Sequence, residues 1–184
     1  LPGETIWIHA VSVGEVQAAE SLVKELLVRH PRHLLLLTTV TPTGAARARQ
    51  LCGNSVRLRY VPFDLPASVR RFFDRARPRL AMILETELWP NLYAECGHRE
   101  VPLVLASARI SPRSVKRYRR LVPLFRQTLS HGIVIAAQSE TDAMRFRSIG
   151  ANPARTHVTG NIKFDFQPPP GIEERGARWR ESNA

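Results

Sequence analysis

Short apolar runs without charge alternate along this chain with stretches whose apolar residues recur at helical spacing. The first run, residues 6–11, holds Ile6, Trp7, Ile8 and Val11, β-formers that suit a buried strand. From 16 to 29 the apolar residues Val16, Ala19, Leu22, Val23, Leu26 and Leu27 fall on one helical stripe, which Pro31 stops. The rhythm then repeats, with runs at 34–40, 56–61, 80–84, 101–106, 132–137 and 156–160 predicting further strands. Helices are predicted after 41–44, over 66–77, from Pro90, over 113–129 with Pro123 kinking or dividing it, and from a Ser139–Asp142 capping box to Gly150. The 34–40 run is apolar up to its threonines, as in a strand covered on both faces. Strand and helix alternating in this way predict a doubly wound parallel sheet.

Open α/β sheets bind ligands outside the carboxyl ends of their strands, so the residues directly after each run are candidates for chemistry. Ser12, Gly14 and Glu15 follow the first run. Ser12 and Glu15 have the spacing of a capping box, and Gly14 permits close backbone approach or an unusual dihedral. Glu15 therefore reads either as a helix cap or as a general base. A helix N-terminus favours the ionised carboxylate and weakens it as a base, whereas burial acts the other way, so spacing leaves both readings open. Thr41, Thr43 and Gly44 follow the second run and read either as cleft lining or as an ordinary turn with an N-cap. Glu85 and Glu87 follow the fourth, beside Trp89. If that segment stays extended the two carboxylates point the same way, and at least one is expected to be functional. Arg109, after the fifth run, is placed to hold a phosphate or carboxylate bidentately. His9, with no second ligand nearby, reads as a core histidine rather than a metal ligand.

Composition narrows the partners. The 184 residues suffice for one well-cored domain, and 43% apolar with 23% charged residues is the balance of a soluble globular protein. No apolar run approaches the length of a membrane span, and no signal-peptide pattern opens the chain. Cys52 and Cys96 lack a metal-ligand or disulfide pattern and are expected to be reduced thiols in a cytoplasmic setting. The net charge of +11 implies attraction to something anionic: nucleic acid, an acidic membrane surface or a phosphorylated substrate. Arginines cluster at 70–79 and 109–126, although each alone also suits a solvated helix face. RNA recognition is disfavoured by the lack of an RNP-type motif, a KH loop or basic residues interleaved with aromatics. There is no P-loop, no GxGxxG and no metal-ligand cluster. Three prolines at 168–170 predict a stiff extended segment before a polar stretch, 171–184, with little to bury. That tail, and a start one short step before a strand, predict a piece of a longer protein.

Taken in order, HAVSVGE at 9–15, TPTG at 41–44, ETELWPN at 85–91, SARIS at 107–111, AAQSE at 136–140 and TGNIKFD at 159–165 form one set. The set resembles the 3-deoxy-D-manno-octulosonic acid (Kdo) transferases of lipopolysaccharide synthesis, over about residues 6–165. Ser107 departs from the asparagine that many members carry there. The resemblance implies a membrane-associated, inverting glycosyltransferase of two-domain GT-B architecture. Residues 1–166 would be its amino-terminal, acceptor-binding half, a Rossmann-like parallel sheet with helices on both faces. Residues 167–184 would be the linker and the start of a nucleotide-sugar domain. It further implies transfer of Kdo from CMP-Kdo to a lipid A precursor at the cytoplasmic face of the inner membrane, without cofactor or metal. The membrane anchor would lie outside this chain, and the isolated piece would be inactive. Carried over by motif, Glu15 is the base, Glu85 and Glu87 a second acidic element at the cleft, and Ser12, Gly14, Thr41, Thr43 and Gly44 its lining. Arg109 would meet an anionic group, while Asn161 and Lys163 would reach the donor near the domain hinge. The implied partners are the lipid acceptor, CMP-Kdo and an anionic membrane surface, not nucleic acid. The rival from another class is a non-catalytic binding module for anionic lipid or nucleic acid.

Overall fold

The structure, a computed structural model, describes residues 4–85, 87–119, 132–165 and 171–182. Its strands are β1 (Thr5–His9), β2 (Leu34–Thr39), β3 (Arg57–Tyr60), β4 (Pro78–Leu84), β5 (Leu103–Ala108), β6 (Val134–Ala137) and β7 (Thr156–Val158). All pair in parallel, in the order β3-β2-β1-β4-β5-β6-β7. Between and after them run α1 (Val13–Arg29), α2 (Pro42–Cys52), α3 (Pro66–Ala76), α4 (Pro90–His98), α5 (Pro112–Arg119), α6 (Glu140–Ser148) and α7 (Ile172–Ser182). The strand order reverses at β1, the switch point at which such sheets open a crevice.

Alternate residues of the inner strands β1, β2, β4 and β5 feed two separate apolar layers, which is why those runs read as unbroken in the sequence. Ile6, Ile8, Leu35 and Leu37 pack with Val16, Ala19 and Val23 of α1 and Ala48 of α2. Trp7, Leu36, Ile83 and Leu105 pack on the other face with Phe73 of α3, Leu92 of α4, Val115 of α5 and Phe146 of α6. Trp7 has no exposed surface, and its indole N–H donates to the Thr38 hydroxyl at 2.8 Å.

Two local features depart from the sequence reading. The fourth run, read as 80–84, starts earlier, at Pro78, the first residue of a central strand, where a missing N–H is tolerated. The helix before it closes on Arg77, whose left-handed backbone (φ 45°) turns its N–H onto the Phe73 carbonyl at 2.9 Å. The polar tail holds helix α7 rather than only a linker. Glu174 stands four residues before Arg178, and Arg180 lies in its last turn, a charge order that supports a helix. The expected continuation of α5, with Pro123, and the prolines at 168–170 fall outside the described residues. Among the described residues no helix is long and apolar enough to cross a membrane.

Candidate functional site

At the carboxyl end of β1 the backbone turns into α1 with Ser12 as N-cap. The Glu15 N–H donates to the Ser12 hydroxyl oxygen at 3.4 Å, and the Ser12 hydroxyl donates to Glu15 Oε1 at 2.9 Å. Glu15 Oε2 accepts the Val11 N–H at 2.8 Å. The cap is therefore real, and it consumes a carboxylate that is only 8% exposed. Burial pushes the Glu15 pKa above the ordinary carboxylate range. The Val11 and Ser12 hydrogen bonds pull it down, and the charges of Glu85 and Glu87 raise it again. Desolvation thus overrides the acidifying effect of the helix start, and the cap and base readings fall on one carboxylate.

Val11 also joins this turn to the next. Its carbonyl accepts the Thr39 hydroxyl at 2.9 Å and the Val40 N–H at 3.4 Å. Thr41 then caps α2, accepting the Gly44 N–H at 3.0 Å, while the Thr43 hydroxyl donates to Thr41 Oγ1 at 3.3 Å. A Cβ at position 44 would lie 2.5 Å from Thr39 Oγ1, so the loop closes only around glycine. The turn-and-cap reading of 41–44 is the geometry observed, at the same sheet edge as Glu15, with Thr43 exposed there.

The backbone at Glu85 does not continue the strand that would have aligned it with Glu87. Glu85 has a left-handed backbone (φ 59°), which breaks the alternation of side chains immediately after β4. Its carboxylate, on a residue 8% exposed, accepts Lys163 Nζ at 2.7 Å on Oε1 and Arg109 Nε at 3.1 Å on Oε2. Arg109 does meet a carboxylate, but one that belongs to this chain. Glu87 instead accepts the Trp89 indole N–H at 2.5 Å, and its backbone carbonyl accepts the Tyr93 hydroxyl. Asn161 braces the turn that carries Lys163: its Oδ1 accepts the Lys163 N–H at 3.0 Å and the Ser107 hydroxyl at 3.5 Å. Ser107 is left-handed too (φ 50°), and its hydroxyl oxygen accepts the Ile162 N–H at 3.3 Å.

Glu15, Glu85, Glu87, Arg109, Asn161 and Lys163 are thus gathered on one edge, with the 41–44 loop joined through Val11. Two residues there escaped the sequence reading. Gln138 donates to the Ser107 carbonyl at 2.9 Å, and Asp64 accepts the Asn91 and Leu92 N–H groups at 3.2 and 2.8 Å. Gln138 directly follows β6, so the rule that found Glu15 would have found it, whereas Asp64 lies four residues past β3. His9 is a core residue, as expected. Its Nδ1 lies 2.9 Å from Thr38 Oγ1, its ring stands edge-on to Trp89, and its Nε2 is buried without a partner. Burial drives its pKa down to about 4, so the ring is neutral. No group of three potential metal ligands occurs among the described residues.

Residues 2–166 match the family model described as 3-deoxy-D-manno-octulosonic-acid transferase (kdotransferase). A 3-deoxy-D-manno-octulosonic acid transferase from Haemophilus influenzae is 42% identical over 165 residues, covering 90% of this chain and 39% of the relative. One from Bordetella pertussis is 38% identical over 179 residues, covering 95% of this chain and 41% of the relative. The chain spans about two fifths of the length of these curated relatives. Among solved structures, a UDP-GlcNAc 2-epimerase from Neisseria meningitidis superposes with a TM-score of 0.62 at 11% identity, over 88% of this chain and 48% of that one. Anabaena HepE bound to UDP gives 0.60 at 15% identity, over 96% and 50%. These likenesses are of fold, an α/β Rossmann-like half of the GT-B type.

Proposed function

Because the chain belongs to the 3-deoxy-D-manno-octulosonic acid transferase family, a family of glycosyltransferases, we propose that it supplies the acceptor site and the base for moving Kdo from CMP-Kdo to a lipid A precursor. The reaction takes place at the anionic cytoplasmic face of the inner membrane, and the donor is held mainly by a second domain. The observation that carries this reading is Glu15, a buried carboxylate at the sheet edge whose pKa burial raises.

Inverting displacement requires one base to take the proton of the acceptor hydroxyl as it attacks the anomeric carbon. Glu15 performs this when the acceptor hydroxyl takes the place of the Ser12 hydroxyl at Oε1. The phosphate of CMP is a good leaving group, so stabilising its charge matters more than protonating it. Glu85 supports that stabilisation by holding Arg109 and Lys163 together at the edge, and Glu87 fixes the Trp89 ring beside the acceptor.

The test joins this chain to the remainder of the Haemophilus influenzae relative and follows CMP release from CMP-Kdo with a tetra-acylated lipid A precursor. Acceptor-dependent release is expected, falling about 100-fold or more in Glu15→Gln with the fold intact. Release that survives the substitution demotes Glu15 to a helix cap. No release by a folded chimera makes a non-catalytic binding module the better account.

A further inference from the structure

On the flank of the sheet, β3 and α3 enclose a groove of about 650 Å³ whose floor includes Leu34, Leu36 and Phe72. Its walls are basic. Arg57 pairs with Leu36 and Arg59 with Thr38 in the β3–β2 register, so both arginines take the face of Leu36 and front α3, while Leu58 between them packs in the opposite core. Arg71 and Arg75, one turn apart on α3, line the same groove. All four are exposed, and among the described residues none forms an ion pair with a carboxylate.

Charge on an edge strand protects it from pairing with another chain, which accounts for Arg57 and Arg59. It does not account for Arg71 and Arg75 on the facing helix, nor for the apolar residues at the groove's end. Phe63, which lines the groove, is 83% exposed, and Leu65, two residues on in the same loop, 60%. The loop that carries them is tied to α4, since Asp64 accepts the Asn91 and Leu92 N–H groups and its carbonyl accepts Asn91 Nδ2 at 2.7 Å. The aromatic ring is therefore presented by a braced loop.

We propose that this groove binds an anionic glycerophospholipid of a bilayer. The headgroup phosphate lies between the arginines of β3 and α3, the upper acyl chain runs against Leu36 and Phe72, and Phe63 and Leu65 enter the interface. Phe63 follows the carboxyl end of β3, so docking here turns the edge that carries Glu15 towards the bilayer. This deepens the proposed reading of an enzyme working at a membrane and rests on it. Its test reads binding without turnover, so either idea can fail alone.

The chain is sedimented with phosphatidylcholine vesicles, with and without phosphatidylglycerol, as wild type, as Arg57→Gln/Arg71→Gln, and as Arg32→Gln/Arg49→Gln, which removes the same charge elsewhere. Binding that needs phosphatidylglycerol is expected, weakened about 30-fold by the groove pair and less than about threefold by the control pair. Phe63→Ala is expected to remove the binding that persists at high salt. Circular dichroism checks that these exposed substitutions leave the fold unchanged. Equal losses in the two pairs overturn the groove in favour of diffuse charge. Titration of the groove by inorganic phosphate with no vesicle binding overturns the lipid assignment.

Discussion

Glu15 and Glu85 sit at the ends of two adjacent strands and are equally buried, yet their partners differ in kind: amide and hydroxyl for one, two cations for the other. The Glu15 cap was legible because its members lie within four residues. The Glu85 cluster was not, because Arg109 and Lys163 are 24 and 78 residues away and a left-handed dihedral leaves no periodic trace. Titration carries the consequence. Since the folded chain raises the Glu15 pKa, its contribution to stability is present below the unfolded carboxylate range and is lost as pH rises through the folded value. Glu15→Gln is therefore expected to flatten the stability curve just above that range, as read by urea unfolding against pH. His9 behaves oppositely. Its pKa of about 4 lies below the usual 6.5, so the unfolded chain takes the proton first and stability falls as pH drops through that window. The loss is about 3 kcal/mol and should be absent from His9→Gln.

At the scale of elements, the predicted strands recur within a few residues, most legibly β1, β2, β4 and β5, which are apolar runs covered on both faces, whereas the edge strands β3 and β7 are largely exposed. The ends were harder to read, since Pro78 opens a strand and 172–182 is a helix whose charge order supports it. Caps were the most readable feature. The Ser139 hydroxyl oxygen accepts the Asp142 N–H at 3.1 Å, and Asp142 Oδ1 reaches across to the Ile110 N–H at 3.0 Å. Ser139→Ala is expected to cost about 1 kcal/mol in chemical denaturation. Gly44→Ala should cost more, about 1–3 kcal/mol, because the added methyl meets the Thr39 hydroxyl where the loop closes.

For the molecule as a whole, composition implies attraction to an anionic partner but not where it would sit, because net charge carries no geometry. The charge of +11 makes a prediction of its own: binding of the chain to anionic vesicles should weaken steeply with added salt, and a salt-insensitive fraction would report apolar insertion. The sheet order has a different consequence, for the way the chain is made. β1 comes first among the described strands but lies inside the sheet, with β2 on one side and β4 on the other. A ribosome would therefore deliver this inner strand long before its second neighbour. Until residue 84 emerges, one edge of β1 and the face of Trp7 stay bare, and α3 must cross over before they close. The nascent chain passes through an open, three-stranded half sheet, and that interval is when it most needs shielding from its own copies.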